Sequence, residues 1–198
     1  MSQNVLTLLL FLAPLVYSPG PGNLFFAALG ARFGWRGTLL ANLGYHAATL
    51  LMSICVGFGL LSILKTVPPL FVVTKVGGSL YVLWIAVRMW SESGARQTEA
   101  ATRAGFREGA VLLILNPKAY VIMALMFSQF LDPARAPLWP AIVLISVIFT
   151  ANNMLAFTLW TFAGDRIARL FSSPSKAQPL NKGLSALLVC VALWMLVA

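Results

Sequence analysis

Six stretches of this chain are predominantly apolar over nearly the length that a bilayer demands: residues 5–31, 38–64, 71–87, 109–131, 138–163 and 183–198. A helix needs about 20 such residues to cross the hydrocarbon core, and it must pair its own backbone amides and carbonyls because no water is available there. The pattern predicts an all-α integral membrane protein with six transmembrane helices, folded as a single transmembrane domain over residues 1–198. The first stretch is read as a span, not as a cleaved leader. It has no basic n-region or small-residue cleavage site, and its hydrophobicity resumes beyond residue 22.

The one long polar connection, SESGARQTEAATRAGFR from Ser91 to Arg107, divides the spans three and three, leaving halves 1–90 and 105–198 joined by a polar cytoplasmic loop. An odd number of spans per half places the halves in opposite orientations, so the chain is expected to form an inverted 3+3 repeat. Each half opens on a span interrupted by proline. The first carries SPGPGN, Ser18 to Asn23, and the fourth carries LNPKAY, Leu115 to Tyr120. Proline lacks an amide hydrogen and glycine loosens the backbone, so helices one and four are expected to be broken.

Interruptions at corresponding places in two halves point to a midplane binding site; the competing reading is a pair of kinks used only for packing. At the first break, Pro19, Gly20, Pro21 and Gly22 unwind the helix and Asn23 is expected to cap what restarts at Leu24. At the second, Asn116 is placed as N-cap with Pro117 in the first helical position. Each break then presents a helix N-terminus, whose amides and dipole favour a carboxylate. Spans two and five add Asn42, Asn152 and Asn153, whose carbonyls suit an ammonium or a substrate side chain.

Composition sharpens this picture. Hydrophobic residues make up 60% of the 198 and charged ones 10%, with a mean hydropathy of +0.87. The net charge of +9 belongs to topology: Arg32 and Arg36, then Arg88, Arg96, Arg103 and Arg107, then Arg166, Arg169, Lys176 and Lys182 follow alternate spans. Between them, Lys65 and Arg135 are the clear loop cations. By the positive-inside rule both termini are periplasmic, and no nucleic-acid partner is implied. Trp35, Trp90 and Trp139 fall near span ends, as an interfacial belt requires.

Lys118 is the exception among the cations. The fourth span is long enough to cross only if it begins near Gly109, which puts Lys118 on the order of 13 Å into a ~30 Å core. An intramembrane lysine is a functional candidate for carboxylate binding or proton coupling, against a packing role on carbonyls at the other break. His46, the only histidine, lies inside span two and is a second coupling candidate. Lys75 reads as interfacial and Asp132 as facing the outer surface. Cys55 and Cys190 have no metal or redox spacing and read as small buried hydrophobes. None of the five acidic residues is placed deep in a span, and no metal cluster, nucleotide loop or catalytic pairing appears. The expectation is therefore no enzyme, no cofactor and no metal, with transport driven by a gradient.

Pro19-Gly20-Pro21, followed by Gly34-Trp35-Arg36, resembles the first signature of the lysine exporter (LysE/RhtB) family. Asn116-Pro117-Lys118-Ala119, continuing to Gln129-Phe130, resembles its second, and Gly78 with Tyr81 a third. The likeness covers nearly the whole chain. It departs where the family's usual asparagine after Pro-Gly-Pro is Gly22 here, with Asn23 displaced by one. The resemblance implies a multi-pass exporter of amino acids in the bacterial inner membrane, driven by proton antiport, with a small-molecule substrate and the lipid bilayer as partners. Homo-oligomerisation stays open. With no buried acid expected in mid-span, a neutral substrate such as threonine, homoserine or a branched-chain amino acid is favoured. The rival readings are a metal or other small-solute exporter of the same superfamily and a membrane scaffold with no transport of its own.

Overall fold

The computed structural model describes residues 2–60, 76–77, 79–84, 86–87, 90, 105–132, 137–170 and 174–197. Among them no strand occurs, and the helices follow the apolar pattern: α1 (Ser2–Tyr17), α2 (Pro21–Gly37), α3 (Leu39–Cys55), α4 (Phe106–Ile114), α5 (Pro117–Phe130), α6 (Trp139–Leu170) and α7 (Pro174–Val197). A π-helical turn, Val56–Leu60, extends α3 and contains Gly59 at φ 105°. The described residues between 76 and 90 are also helical.

Two of these helical segments, Leu39–Gly59 and Trp139–Leu170, are by themselves long and apolar enough to cross a membrane. Two further crossings arise if bent pairs are counted as single spans: Val5–Tyr17 with Pro21–Gly37, and Phe106–Ile114 with Pro117–Phe130. Both bends are 64°. The expected breaks in spans one and four are thus present, at SPGPGN and LNPKAY. Lys65, Lys75, Gly78, Arg88, Arg96, Arg103 and Arg135 lie outside the described residues.

Some boundaries differ from those expected. Arg166 and Arg169 belong to the last turns of α6, and Lys182 lies within α7, so helix continues through sequence that charge alone assigned to a connection. Hydropathy marks where a helix can be buried, whereas helical hydrogen bonding runs on into water until a cap stops it. Asp165 was not expected in a buried position, yet it is only 6% exposed. It accepts two 3.1 Å hydrogen bonds from Arg169, Nε to Oδ1 and Nη2 to Oδ2. Cys190, expected among buried hydrophobes, is exposed on the outer face of α7.

Two helix crossings hold one side of the bundle together. A Cβ added at Gly30 would overlap the Thr161 carbonyl, and one at Gly164 the Ala27 carbonyl, so α2 and α6 meet backbone to backbone. The same reciprocal contact joins α3 and α4, with Gly44 against the Phe106 carbonyl and Gly109 against that of Ala41. In lipid, where burial of apolar surface gives no drive for helices to associate, close approach through small residues supplies dispersion and Cα–H···O contacts instead. Because α2 leads directly into α3, both crossings lie on the same side of the breaks. The other side is packed by side chains, including an edge-to-face pair of Phe11 and Phe130 at 5.4 Å. It also carries an apolar cleft of about 130 Å³ bounded by Val5, Leu8, Phe130 and Ile145.

Candidate substrate site between the broken helices

At the end of α1, four successive carbonyls lose helical partners, and each is taken by a side chain. Ser18 Oγ donates to Leu15 O at 3.1 Å, Asn23 Nδ2 to Val16 O at 3.0 Å, and Trp160 Nε1 to Tyr17 O at 3.2 Å. Lys118 Nζ donates to Ser18 O and to Ser18 Oγ, both at 3.0 Å. The negative end of a helix dipole is the favourable place for an ammonium, which resolves the conflict of a lysine one residue inside the N-terminus of α5. Gly20 leaves room beside it: a Cβ there would meet Nζ at 2.7 Å and make the lysine side chain shift.

Asn23 differs from its expected role. α2 begins at Pro21 with Gly20 as N-cap and no side-chain cap, and Asn23 reaches backwards to the end of α1. Proline at the first helical position needs no amide partner, so the restart falls three residues earlier than a capping asparagine would set it. The second break matches expectation in backbone only. Asn116 is the N-cap and Pro117 follows, yet Asn116 does not cap with its side chain. Its Nδ2 donates instead to Tyr45 Oη at 2.9 Å, while its Oδ1 is buried without a partner. The exposed end of α4 is closed by Tyr120, whose hydroxyl donates to Ile114 O at 2.8 Å.

From α3 and α6 comes a second polar layer. Asn153 Nδ2 lies 3.3 Å from His46 Nε2, and His46 Nδ1 lies 2.8 Å from Asn42 O. With the amide donating, Nε2 accepts and Nδ1 carries the proton given to the carbonyl. Asn42 Nδ2 donates to Thr158 Oγ1 at 3.3 Å, and Asn42 Oδ1 is left buried and unpartnered. Asn152 turns the other way, accepting from Tyr17 Oη at 3.2 Å.

Between these layers is a cavity of about 10 Å³, room for about one water. Asn23, Asn116, Lys118 and Asn153 line it, with Tyr45 and Phe157 as aromatic walls. His46 and Asn42 connect to it through Asn153. Gly20 and Gly22 abut its lining through Lys118 and through Phe157 with Asn116, whereas Pro19 is exposed and Asn152 is absent from the lining.

Sequence reasoning missed Tyr45, Phe157 and Trp160. Their signal was positional: Asn153, Phe157 and Trp160 fall at helical spacing on one face of α6. Likewise the buried polar stripe Asn42, His46, Thr49 and Ser53 marks the face of α3 next to Tyr45.

A helical membrane protein with two bent helices meeting around a small cavity of mixed polar and apolar lining fits a transporter. The chain belongs to the LysE type translocator family, whose model matches residues 13–198. It is 26% identical over 180 residues to a homoserine/homoserine lactone efflux protein of Salmonella typhimurium, covering 88% of this chain and 86% of that protein. To a leucine efflux protein of Enterobacter sp. it is 25% identical over 180 residues, covering 88% and 85%. An uncharacterized membrane protein of Vibrio cholerae is 23% identical over 170 residues, covering 83% and 82%. No solved structure matches the chain.

Proposed function

We propose that the protein is a secondary transporter exporting neutral amino acids across the bacterial inner membrane by proton antiport, built as a six-span inverted repeat. The efflux proteins it resembles support amino-acid export as the class. The observation that carries the site assignment is Lys118 reaching from one break to the other, beside an Asn116 Oδ1 that is buried and unpartnered at a cavity with no carboxylate among its described lining residues. A substrate carboxylate replaces the Ser18 oxygens as partner of Lys118, and the substrate ammonium donates to Asn116 Oδ1.

Export then requires the two breaks to separate and rejoin around the bound zwitterion. In the proposed topology the termini are periplasmic, so the glycine crossings close the cytoplasmic side. Proton coupling falls to Lys118, released when its partner changes, or to His46, which accepts a proton at Nε2 only if the Asn153 amide turns its oxygen toward the ring.

The test is uptake of a labelled amino-acid panel into inside-out membrane vesicles energised by a proton gradient. Accumulation of neutral amino acids that a protonophore abolishes, and that Lys118→Ala abolishes while the variant still inserts, is the expected result. Full activity in Lys118→Ala would sink the assignment of Lys118. No uptake of any panel member by folded wild-type protein would favour another solute or a scaffold without transport.

A further inference from the structure

We infer that Phe157 sets the size limit of the substrate, so that the site takes zwitterionic amino acids with short uncharged side chains and rejects aromatic ones. This inference rests on the export reading above.

Phe157 stands where the substrate side chain would lie in the proposed site. Its ring is buried and packs on Tyr45 at 4.5 Å, Phe26 at 5.1 Å and His46 at 5.3 Å. It also presses on the first break: a Cβ at Gly22 would meet Phe157 Cζ at 2.8 Å and Asn116 Nδ2 at 3.1 Å. The ring therefore occupies the space that a side chain at position 22 would otherwise fill, within reach of the asparagine assigned to the ammonium. Finally, Lys118 and Asn116 take the two charged ends of the zwitterion, which leaves the apolar lining of Phe157, Phe149 and Ile122 for the side chain.

Backbone contacts brace the side of the cavity that carries the ring. Phe157 stands on the uninterrupted helix α6, one turn before Thr161, whose hydroxyl donates to Phe157 O at 2.8 Å and whose carbonyl meets Gly30 of α2. With Gly164 against the Ala27 carbonyl, this stretch of α6 cannot slide or rotate past α2 without backbone collision. Asn116, Lys118 and Ala119 instead lie at a 64° break. The closed cavity holds about one water, so loading the site means displacing the Asn116–Ala119 side toward solvent while the phenyl ring stays. A rigid ring facing a movable wall discriminates by side-chain length.

The experiment is initial-rate transport of leucine, threonine, phenylalanine and tryptophan in proteoliposomes holding wild-type, Phe157→Leu or Phe157→Ala protein. Folding is checked by monodispersity in detergent, and Phe157→Leu keeps an apolar side chain should the alanine variant not fold. Hydrophobic pockets discriminate single methylenes by about tenfold or more, so removing most of a ring should raise kcat/KM for phenylalanine relative to threonine by at least about tenfold. The gain is expected chiefly as a lower KM for phenylalanine, with threonine still transported. A wild type that transports phenylalanine as well as leucine overturns the inference, as does an unchanged substrate profile in both folded variants. In either case export itself stands. Absence of amino-acid transport by wild type overturns the export reading and the size limit with it.

Discussion

Gly44→Ala tests the crossing that ties α3 to α4. The added methyl would overlap the Phe106 carbonyl oxygen and lie 2.7 Å from its carbon, where ordinary contact begins at 3.4 Å; the carbon alone demands 0.7 Å of separation and the nearer oxygen demands more. Tyr45 is the next residue on α3, and its hydroxyl receives Asn116 Nδ2 at 2.9 Å across the same gap. The movement stretches that bond to the limit of hydrogen bonding and leaves a buried amide donor poorly paired, at a cost of about 1 kcal/mol or more. Overpacking itself costs about 1–3 kcal/mol. The expected destabilisation is about 2–3 kcal/mol, measured by equilibrium unfolding in mixed detergent micelles, with transport lowered because Asn116 is displaced. Gly109→Ala, on the facing helix, should behave alike. The double variant should lose less than the sum, since helices already parted accommodate the second methyl. If Gly44→Ala unfolds within about 0.5 kcal/mol of wild type and transports normally, a backbone contact at this crossing is ruled out.

Three further experiments probe separate hydrogen bonds. Trp160→Phe keeps the ring but removes the donor to Tyr17 O, and should destabilise by about 1 kcal/mol in the same titration. Tyr45→Phe removes the acceptor of Asn116 Nδ2; a loss of about 1–3 kcal/mol is expected, together with reduced vesicle uptake. The buried hydroxyl pair of Ser53 and Ser146, 3.0 Å apart between α3 and α6, should show a coupling of about 0.6 kcal/mol in a double-mutant cycle of alanine variants. A coupling near zero would mean that the two hydroxyls are satisfied separately.

Periodicity and proline chemistry carried much of this structure. Long apolar runs and clustered Pro and Gly are local signals, so the helices and both breaks could be read before any packing was known. Asn116 and Pro117 were placed correctly in the backbone for the same reason. That Lys118 bonds a carbonyl at the other break was one of the two readings its position offered, and the bond to Ser18 O bears it out; that Trp160 finds Tyr17 was not legible, because nothing local links residues so far apart in sequence. Asn23 was misassigned because an asparagine just before a restarting helix is a good cap in isolation; only the neighbouring end of α1 offers it a better acceptor. Phe157 looked like any aromatic in an apolar span, and its position against Gly22 emerges only when α6 is laid on α2.

The capping of the first break also bears on how the chain is made. The carbonyls of Tyr17 and Ser18 are synthesised and delivered to the membrane well before Trp160 and Lys118 leave the ribosome. Until those residues arrive, the N-terminal half carries a helix end that hydrocarbon cannot solvate. Its first span is therefore best kept beside water or the insertion machinery while the second half is translated, and the two halves mature together. An N-terminal fragment ending before residue 118 should insert poorly or be degraded, whereas co-expression with the missing half should rescue it.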